Sequence, residues 1–575
     1  MATGTSLDDR RPTWRAGDLA VALDWALASH ARAAAMLAVV ALLAFLPGFF
    51  SIPPVDRDEA RFAQATKQMV ETGDYVDIRY QDEVRYKKPV GIYWLQAAFV
   101  RGAEAIGIDN ARTTIAVYRI PSLLGAVGGV LLTYWAALAF VSRRAALMAG
   151  LMMATSVLLG FEARLAKTDA ALLATTIAVM GVLGRAYLGA PAFQRKGWAG
   201  LSLPAIFWTA MAGGILLKGP LILLFVGLAA VTLFIADRNW RWILALRPLP
   251  GIAWMLLLVL PWFLAILGRS GGEFLTGSVG DDMLSKIWSG QESHGAPPGY
   301  YLLLYWVTFW PAATLTGLAL PAVWASRGEK GARFLLAWIV PAWIVFELVI
   351  TKLPHYVLPL YPAIAILIAG VIDAAALRRD RWMVRGTAWW FVFPVLASVA
   401  GVVALIMFGG RFGLFAWVFG AGAIVCGLLA WRLYDTDGAE RSLLRAMAAA
   451  VLIAMTIQGV VIPSMAGLFP ARLLAREIKA AGCSEPLVVA SGYPEPSLVF
   501  LTGTETRLTD GAGAADFLRH GPCRFALVEA RTERAFLRRA EVTGLRYGTR
   551  GRVDGVNLGG GRRVSIAIYH SEGGP

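Results

Sequence analysis

Charge is scarce in this chain: 16% of its 575 residues are Asp, Glu, Lys or Arg and 57% are hydrophobic, against roughly 25% charged in soluble domains. That balance excludes a soluble enzyme. Cysteine is scarcer, and three of them (Cys426, Cys483, Cys523) cannot build a metal framework or a disulfide scaffold. None of the five histidines falls in an HExxH or comparable ligand spacing. Acidic charge is the minority sign, and a formal net charge of +15 would suit nucleic acid if the basic residues formed a patch. They lie instead in short gaps between apolar runs, so no nucleic-acid partner is expected and membrane topology is.

What the chain has is apolar length. A helix needs about 20 mainly apolar residues to cross the hydrocarbon core. Segments 31–50, 116–141, 145–161, 169–188, 203–217, 219–236, 251–268, 300–324, 333–351, 355–376, 387–409, 412–432 and 443–463 meet or approach that length, predicting an α-helical polytopic membrane protein with about 13 transmembrane helices. The N-terminus lacks a signal peptide's short apolar core and small-residue cleavage site; Arg10, Arg11 and Arg15 instead precede a first span that reads as retained. Arg143/Arg144, Arg195/Lys196, Arg238/Arg241/Arg247, Arg327/Lys330, Arg378/Arg379/Arg381/Arg385 and Arg432/Arg441 fill alternate gaps, which the positive-inside rule assigns to the cytoplasm with the N-terminus. Residues 1–30 then form a cytoplasmic tail and 31–469 a membrane domain with outward loops at 51–115 and 269–299. Within the first loop, helical apolar spacing at 60–69 and 92–106 predicts interfacial helices flanking a turn-rich loop at 73–89. Residues 470–575 read as a small outward α/β domain, with β-rich runs at 487–490, 525–528 and 564–569. Cys483 and Cys523 each precede one of these strands; parallel pairing would bring the thiols together for a disulfide, the alternative being two unpaired buried cysteines.

Ionisable groups gather on the outward side. Asp56, Arg57, Asp58, Glu59 and Arg61 follow the first span directly. Helix capping explains an acid or two there, but the other outward gaps repeat the pattern: Glu162, Arg164, Lys167 and Asp169 in one turn, Lys218 between two apolar runs, and His294, Lys352 and His355 further on. Such groups at membrane depth normally face a bundle interior or a wet cavity, with snorkelling the plain alternative for Lys218. His294 with a distant carboxylate would suit a divalent metal; a hydrogen-bonding histidine fits equally. Carboxylates beside Arg61, Lys87, Lys88, Lys218 and Lys352 suit group transfer from a lipid phosphate, the cations holding the phosphate and a carboxylate orienting or deprotonating an acceptor. A transporter for an anionic lipid-linked sugar would show similar groups, though no internal repeat with paired broken helices is found. A structural envelope protein that uses its tail domain as an interaction module is a third reading.

The strings Asp58-Glu59-Ala60-Arg61-Phe62-Ala63, Glu71-Thr72-Gly73-Asp74-Tyr75, Tyr86-Lys87-Lys88-Pro89, Lys167-Thr168-Asp169-Ala170, Leu217-Lys218-Gly219-Pro220, Lys352-Leu353-Pro354-His355-Tyr356 and Tyr493-Pro494-Glu495-Pro496 together resemble bacterial lipid A aminoarabinose transferases and their relatives among dolichyl-phosphate-mannose-protein mannosyltransferases, which are GT-C glycosyltransferases. The resemblance covers most of the chain. It implies a GT-C type fold, an inverting glycosyltransferase, a polyprenyl-phosphate-linked sugar as donor with its tail along the membrane helices, and an envelope lipid, glycan or protein as acceptor, lipid A or lipopolysaccharide first. By matched motif, Asp58 and Asp169 would be the catalytic carboxylates and Arg61, Lys88 and Lys218 the donor-phosphate ligands, with Glu59, His294, Lys352, His355 and Tyr356 supporting. One departure stands out: those transferases usually have a Glu before the Lys-Pro pair, resembling a metal ligand together with the loop histidine, and here Lys87 holds that place. No metal is expected there unless Glu83 or another acid substitutes.

Overall fold

A computed structural model describes residues 18–194, 197–278, 295–410 and 413–572. Among them, eight helices are long and apolar enough to cross a membrane, and Tyr300–Thr308 with Ala312–Ala325 makes a further span bent by 115°. Shorter helices at His30–Phe45, Arg143–Ala154, Ser202–Lys218 and Leu221–Asp237 account for the remaining segments read as spans. The chain is thus an α-helical, multi-pass membrane protein. Pro248–Ser270 and Leu414–Arg432 are each only 22% buried, as lipid-facing helices should be, whereas Asp169–Tyr187 is 83% buried and stands at the centre of the bundle.

Small residues let the central helices approach closely where the outward charges lie. A Cβ on Gly125 would sit 2.6 Å from the Ala171 nitrogen, so the helix Ile115–Ala137 presses against the first turn of Asp169–Tyr187. A Cβ on Gly91 would meet the Leu216 carbonyl oxygen at 2.7 Å, which brings the outer helix Gly91–Ala105 onto the end of Ser202–Lys218, just before Lys218. Both contacts rest on backbone approach that any side chain would prevent.

Three spans differ from the sequence expectation. The first ends at Phe45 rather than residue 50, because Pro47 and Gly48 turn the chain outward. Segment 145–161 breaks at Thr155-Ser156 into Arg143–Ala154 and Val157–Glu162, which sets Glu162 at a helix end. The last span runs as Tyr434–Ala454 and then turns π-helical over Met455–Val461.

Outside the bundle, the two expected interfacial helices are Asp58–Thr72 and Gly91–Ala105, joined by a loop that carries a two-stranded ribbon, β1 (Arg79–Tyr80) and β2 (Glu83–Val84). The C-terminal region holds a five-stranded sheet of β3 (Leu487–Ser491), β4 (Arg507–Thr509), β5 (Arg524–Glu529), β6 (Tyr547–Asn557) and β7 (Arg562–Ser571), in the order β4-β3-β5-β7-β6. β3 pairs in parallel with both β4 and β5, while β7 runs antiparallel to β5 and β6. The parallel register sets Leu487 opposite Arg524, and the Leu487 N–H donates to the Cys523 carbonyl at 3.0 Å. Cys483 and Cys523 are thereby brought to a Cα–Cα distance of 5.9 Å and form a disulfide.

Candidate active site

Asp58 opens the helix Asp58–Thr72 and is exposed, whereas Glu59, one position round the helix, is buried. Glu59 forms a bidentate pair with the fully buried Arg119, at 2.7 and 2.9 Å. It also accepts the Val55 and Ala166 N–H groups at 2.8 and 2.9 Å. Arg119 spends its other donors on the carbonyls of Phe49, Ile52 and Pro53. The first span's exit, the Asp58 helix and the 163–168 turn are therefore tied to one guanidinium, and every charge in the knot has partners.

The residues before Asp58 are gripped by the tail domain. Arg57 sits at φ 70°, a region that non-glycine residues seldom adopt, and donates to the Gly559 carbonyl. Asp56 accepts the Ser497 N–H at 2.9 Å. Burial pushes the Asp56 carboxyl up to about 6; the bond from Ser497 opposes this and the nearby Glu495 adds to it. The rest of the helix is held in the same way: Gln64 donates to Thr504 at 2.8 Å and Lys67 to the Phe500 carbonyl at 3.1 Å. Arg61, at i+3 from Asp58, acts electrostatically on Asp56 and Tyr80.

Asp169 occupies the first position of the central helix, buried among cations. Lys218 donates to its Oδ1, Lys167 Nζ lies 3.7 Å from its Oδ2 and His355 Nε2 lies 3.5 Å from its Oδ1. Lys167 also reaches Glu162 at 3.2 Å, and His355 Nδ1 is 3.7 Å from Glu162 Oε1. Lys218 Nζ lies 5.6 Å from the Tyr356 ring centroid, within cation–π range. Burial by itself would lower the Lys167 pKa, but Glu162, Asp169 and Asp58 hold it above the usual lysine value. That electrostatic link joins the Asp58 end to this cluster, and Lys88 acts likewise on His355. Glu162, Lys167 and Asp169 thus meet Lys218, His355 and Tyr356 from three separate stretches of the chain, and Lys88 is half-buried in the loop between the interfacial helices.

Other residues named from the sequence lie elsewhere or serve differently. Lys352 is buried with its ammonium donating to the carbonyls of Phe346, Glu347 and Val349, so it caps the end of Lys330–Leu348 instead of facing the cluster. His294 falls outside the described residues. Lys87 and Glu83 are both exposed. Glu162, Asp169 and His355 present ligand atoms within 4.8 Å of one another, the spacing of a metal site. The donor set fits a cation poorly, because the Lys167 and Lys218 ammoniums already neutralise the same two carboxylates. Arg119 had escaped notice; an arginine inside an otherwise apolar span was the signal that would have found it.

No protein-family model matches the chain. Curated relatives include undecaprenyl phosphate-alpha-4-amino-4-deoxy-L-arabinose arabinosyl transferases from Edwardsiella ictaluri, 27% identical over 412 residues covering 70% of each chain, and from Pectobacterium carotovorum, 28% identical over 366 residues covering 62% of each. Among solved structures, ArnT from Cupriavidus metallidurans bound to undecaprenyl phosphate superposes with a TM-score of 0.71 at 20% identity, over 94% of this chain and 99% of that one. Its apo form gives 0.69 at 19%, over 93% and 97%. The fold is the GT-C glycosyltransferase fold. The resemblance to lipid A aminoarabinose transferases read from the motifs therefore extends to the architecture.

Proposed function

We propose that this chain is an inner-membrane GT-C glycosyltransferase that moves a sugar from a polyprenyl-phosphate donor to an envelope acceptor at the periplasmic face, lipid A or lipopolysaccharide first. The observation that carries this reading is the buried ion pair of Lys218 with Asp169 beside His355, in a fold shared with an ArnT that binds undecaprenyl phosphate. Lys218, Lys88 and Arg61 would hold the donor phosphate. In transfer, an acceptor oxygen attacks the anomeric carbon as the bond from that carbon to the phosphate oxygen breaks, and polyprenyl phosphate departs with the electron pair. The two ammoniums stabilise the charge that grows on it. A hydroxyl acceptor gives its proton to Asp58, the exposed carboxylate; an ionised phosphate acceptor has none to give and is only oriented. Asp169 keeps Lys218 in place.

The topology follows from the same reading. Residues 1–30 lie in the cytoplasm, 31–469 form the transmembrane catalytic domain and 470–575 a periplasmic domain. The Cys483–Cys523 bridge favours an oxidising compartment for that domain. The relatives' 4-amino-4-deoxy-L-arabinose is the first sugar to try. The test is mass spectrometry of lipid A and lipopolysaccharide from a deletion strain carrying wild type, Asp58→Asn or Asp169→Asn. A mass increment restored by wild type and by neither variant is expected; full restoration by both variants would remove the carboxylate mechanism.

A further inference from the structure

The buried cluster contains one acid that the reaction does not use. Glu162 ends the short helix Val157–Glu162 and is 5% exposed, within ion-pairing distance of Lys167 and beside His355. His355 lies between two carboxylates, its Nδ1 3.7 Å from Glu162 and its Nε2 3.5 Å from Asp169. Lys167 spans the same two, at 3.2 Å from Glu162 and 3.7 Å from Asp169. Glu162 therefore mirrors Asp169 across an imidazole and an ammonium, but the ion pair of Lys218 is with Asp169.

Charge counting gives this symmetry a purpose. With His355 neutral, Glu162 and Asp169 balance Lys167 and Lys218, so each acid has one ammonium to itself and Lys167 leans to Glu162. Without the Glu162 charge, Asp169 is the carboxylate left within ion-pairing distance of Lys167 among the described residues, and a buried ammonium does not stay unpaired. Lys167 would close on Asp169 and displace Lys218 from it.

We propose that Glu162 is a positioning residue for the transfer: it draws Lys167 aside, so that Asp169 engages Lys218 in the orientation that meets the donor phosphate. The inference rests on the function proposed above. In this reading Glu162 acts only through Lys167, which separates it from Asp58, the group that meets the acceptor.

The test uses the purified full chain in nanodiscs, with transfer kinetics on the donor that wild type turns over and binding of undecaprenyl phosphate as a separate readout. Glu162→Gln keeps the shape and removes the charge. Its kcat is expected to fall at least ~10-fold, and its undecaprenyl phosphate affinity to fall in the same direction as in Asp169→Asn, since Lys218 loses its seat in both. Glu162→Asp should recover part of the turnover. The double variant Glu162→Gln/Lys167→Gln, which restores charge balance, should turn over faster than Glu162→Gln, and it also serves if the single variant folds poorly. Wild-type turnover in Glu162→Gln, or a double variant whose loss is the product of the single losses, would overturn the proposal. Absence of transfer and of undecaprenyl phosphate binding by wild type would instead strike the proposed function, so the two failures are distinguishable.

Discussion

Asp58 and Asp169 each take the first position of a helix, where a carboxylate suits the helix dipole, yet opposite means hold them. Asp169 is 6% exposed and sits in a closed set of ion pairs within the bundle. Asp58 is exposed, and it is the residues around it that are fastened: Asp56 and Arg57 by the tail domain, Glu59 by Arg119. The difference separates two tasks. A carboxylate whose lone pairs are committed to cations can seat a phosphate-binding lysine but has little basicity to offer an acceptor; an open carboxylate on a clamped backbone can receive one.

The largest effect should come from the fastening of Asp58. Glu59→Gln leaves the Arg119 charge buried without its counter-ion, and a loss of about 3–5 kcal/mol is expected, read as poor recovery of folded protein and a sharply lowered unfolding midpoint. A midpoint equal to wild type would mean that Asp58 does not depend on this knot. Next, Asp58→Asn and Asp169→Asn should each lower transfer by about 100-fold or more and differ in how they do so. Asp169→Asn should also weaken undecaprenyl phosphate binding, because Lys218 loses its seat, while Asp58→Asn should leave that binding intact. Identical behaviour of the two would erase the distinction.

A smaller effect tests the tail clamp through pH. The Asp56 carboxyl rises in the fold from its ordinary value to about 6. The folded state then binds a proton more tightly than the unfolded chain, so this contribution to stability is complete below about pH 4 and is lost as pH rises toward 6. Asp56→Asn keeps an acceptor for the Ser497 N–H without the buried charge. It should match wild type at pH 4 and exceed it at pH 7, by at most roughly 3 kcal/mol, in thermal unfolding of the purified protein. A gap that instead widens toward low pH would contradict the assignment.

Much of this architecture was legible in the sequence because apolar length and loop charge are local signals. The spans, the interfacial helices at Asp58–Thr72 and Gly91–Ala105, and the places of Cys483 and Cys523 before β3 and β5 all follow from patterns within a few residues, whereas the pairing of the two cysteines was left open. Partnership was not local. Lys352 looked like a phosphate ligand because nothing in its string tells where Lys330–Leu348 ends, and its role depends on the carbonyls left free at that end. His355 meets Glu162 and Asp169 only through the packing of distant helices. The hold of the tail domain on Asp56 and Arg57 joins residues more than 400 positions apart, beyond the reach of any pattern in the sequence.

The account turns on Lys218 meeting a lipid phosphate from its seat on Asp169. Undecaprenyl phosphate binding to the purified full chain, compared between wild type and Lys218→Met, tests this most directly. Wild type should bind with an affinity that falls about 10-fold or more in the variant, as loss of a charge-assisted phosphate contact predicts. Equal affinity in the two would contradict it.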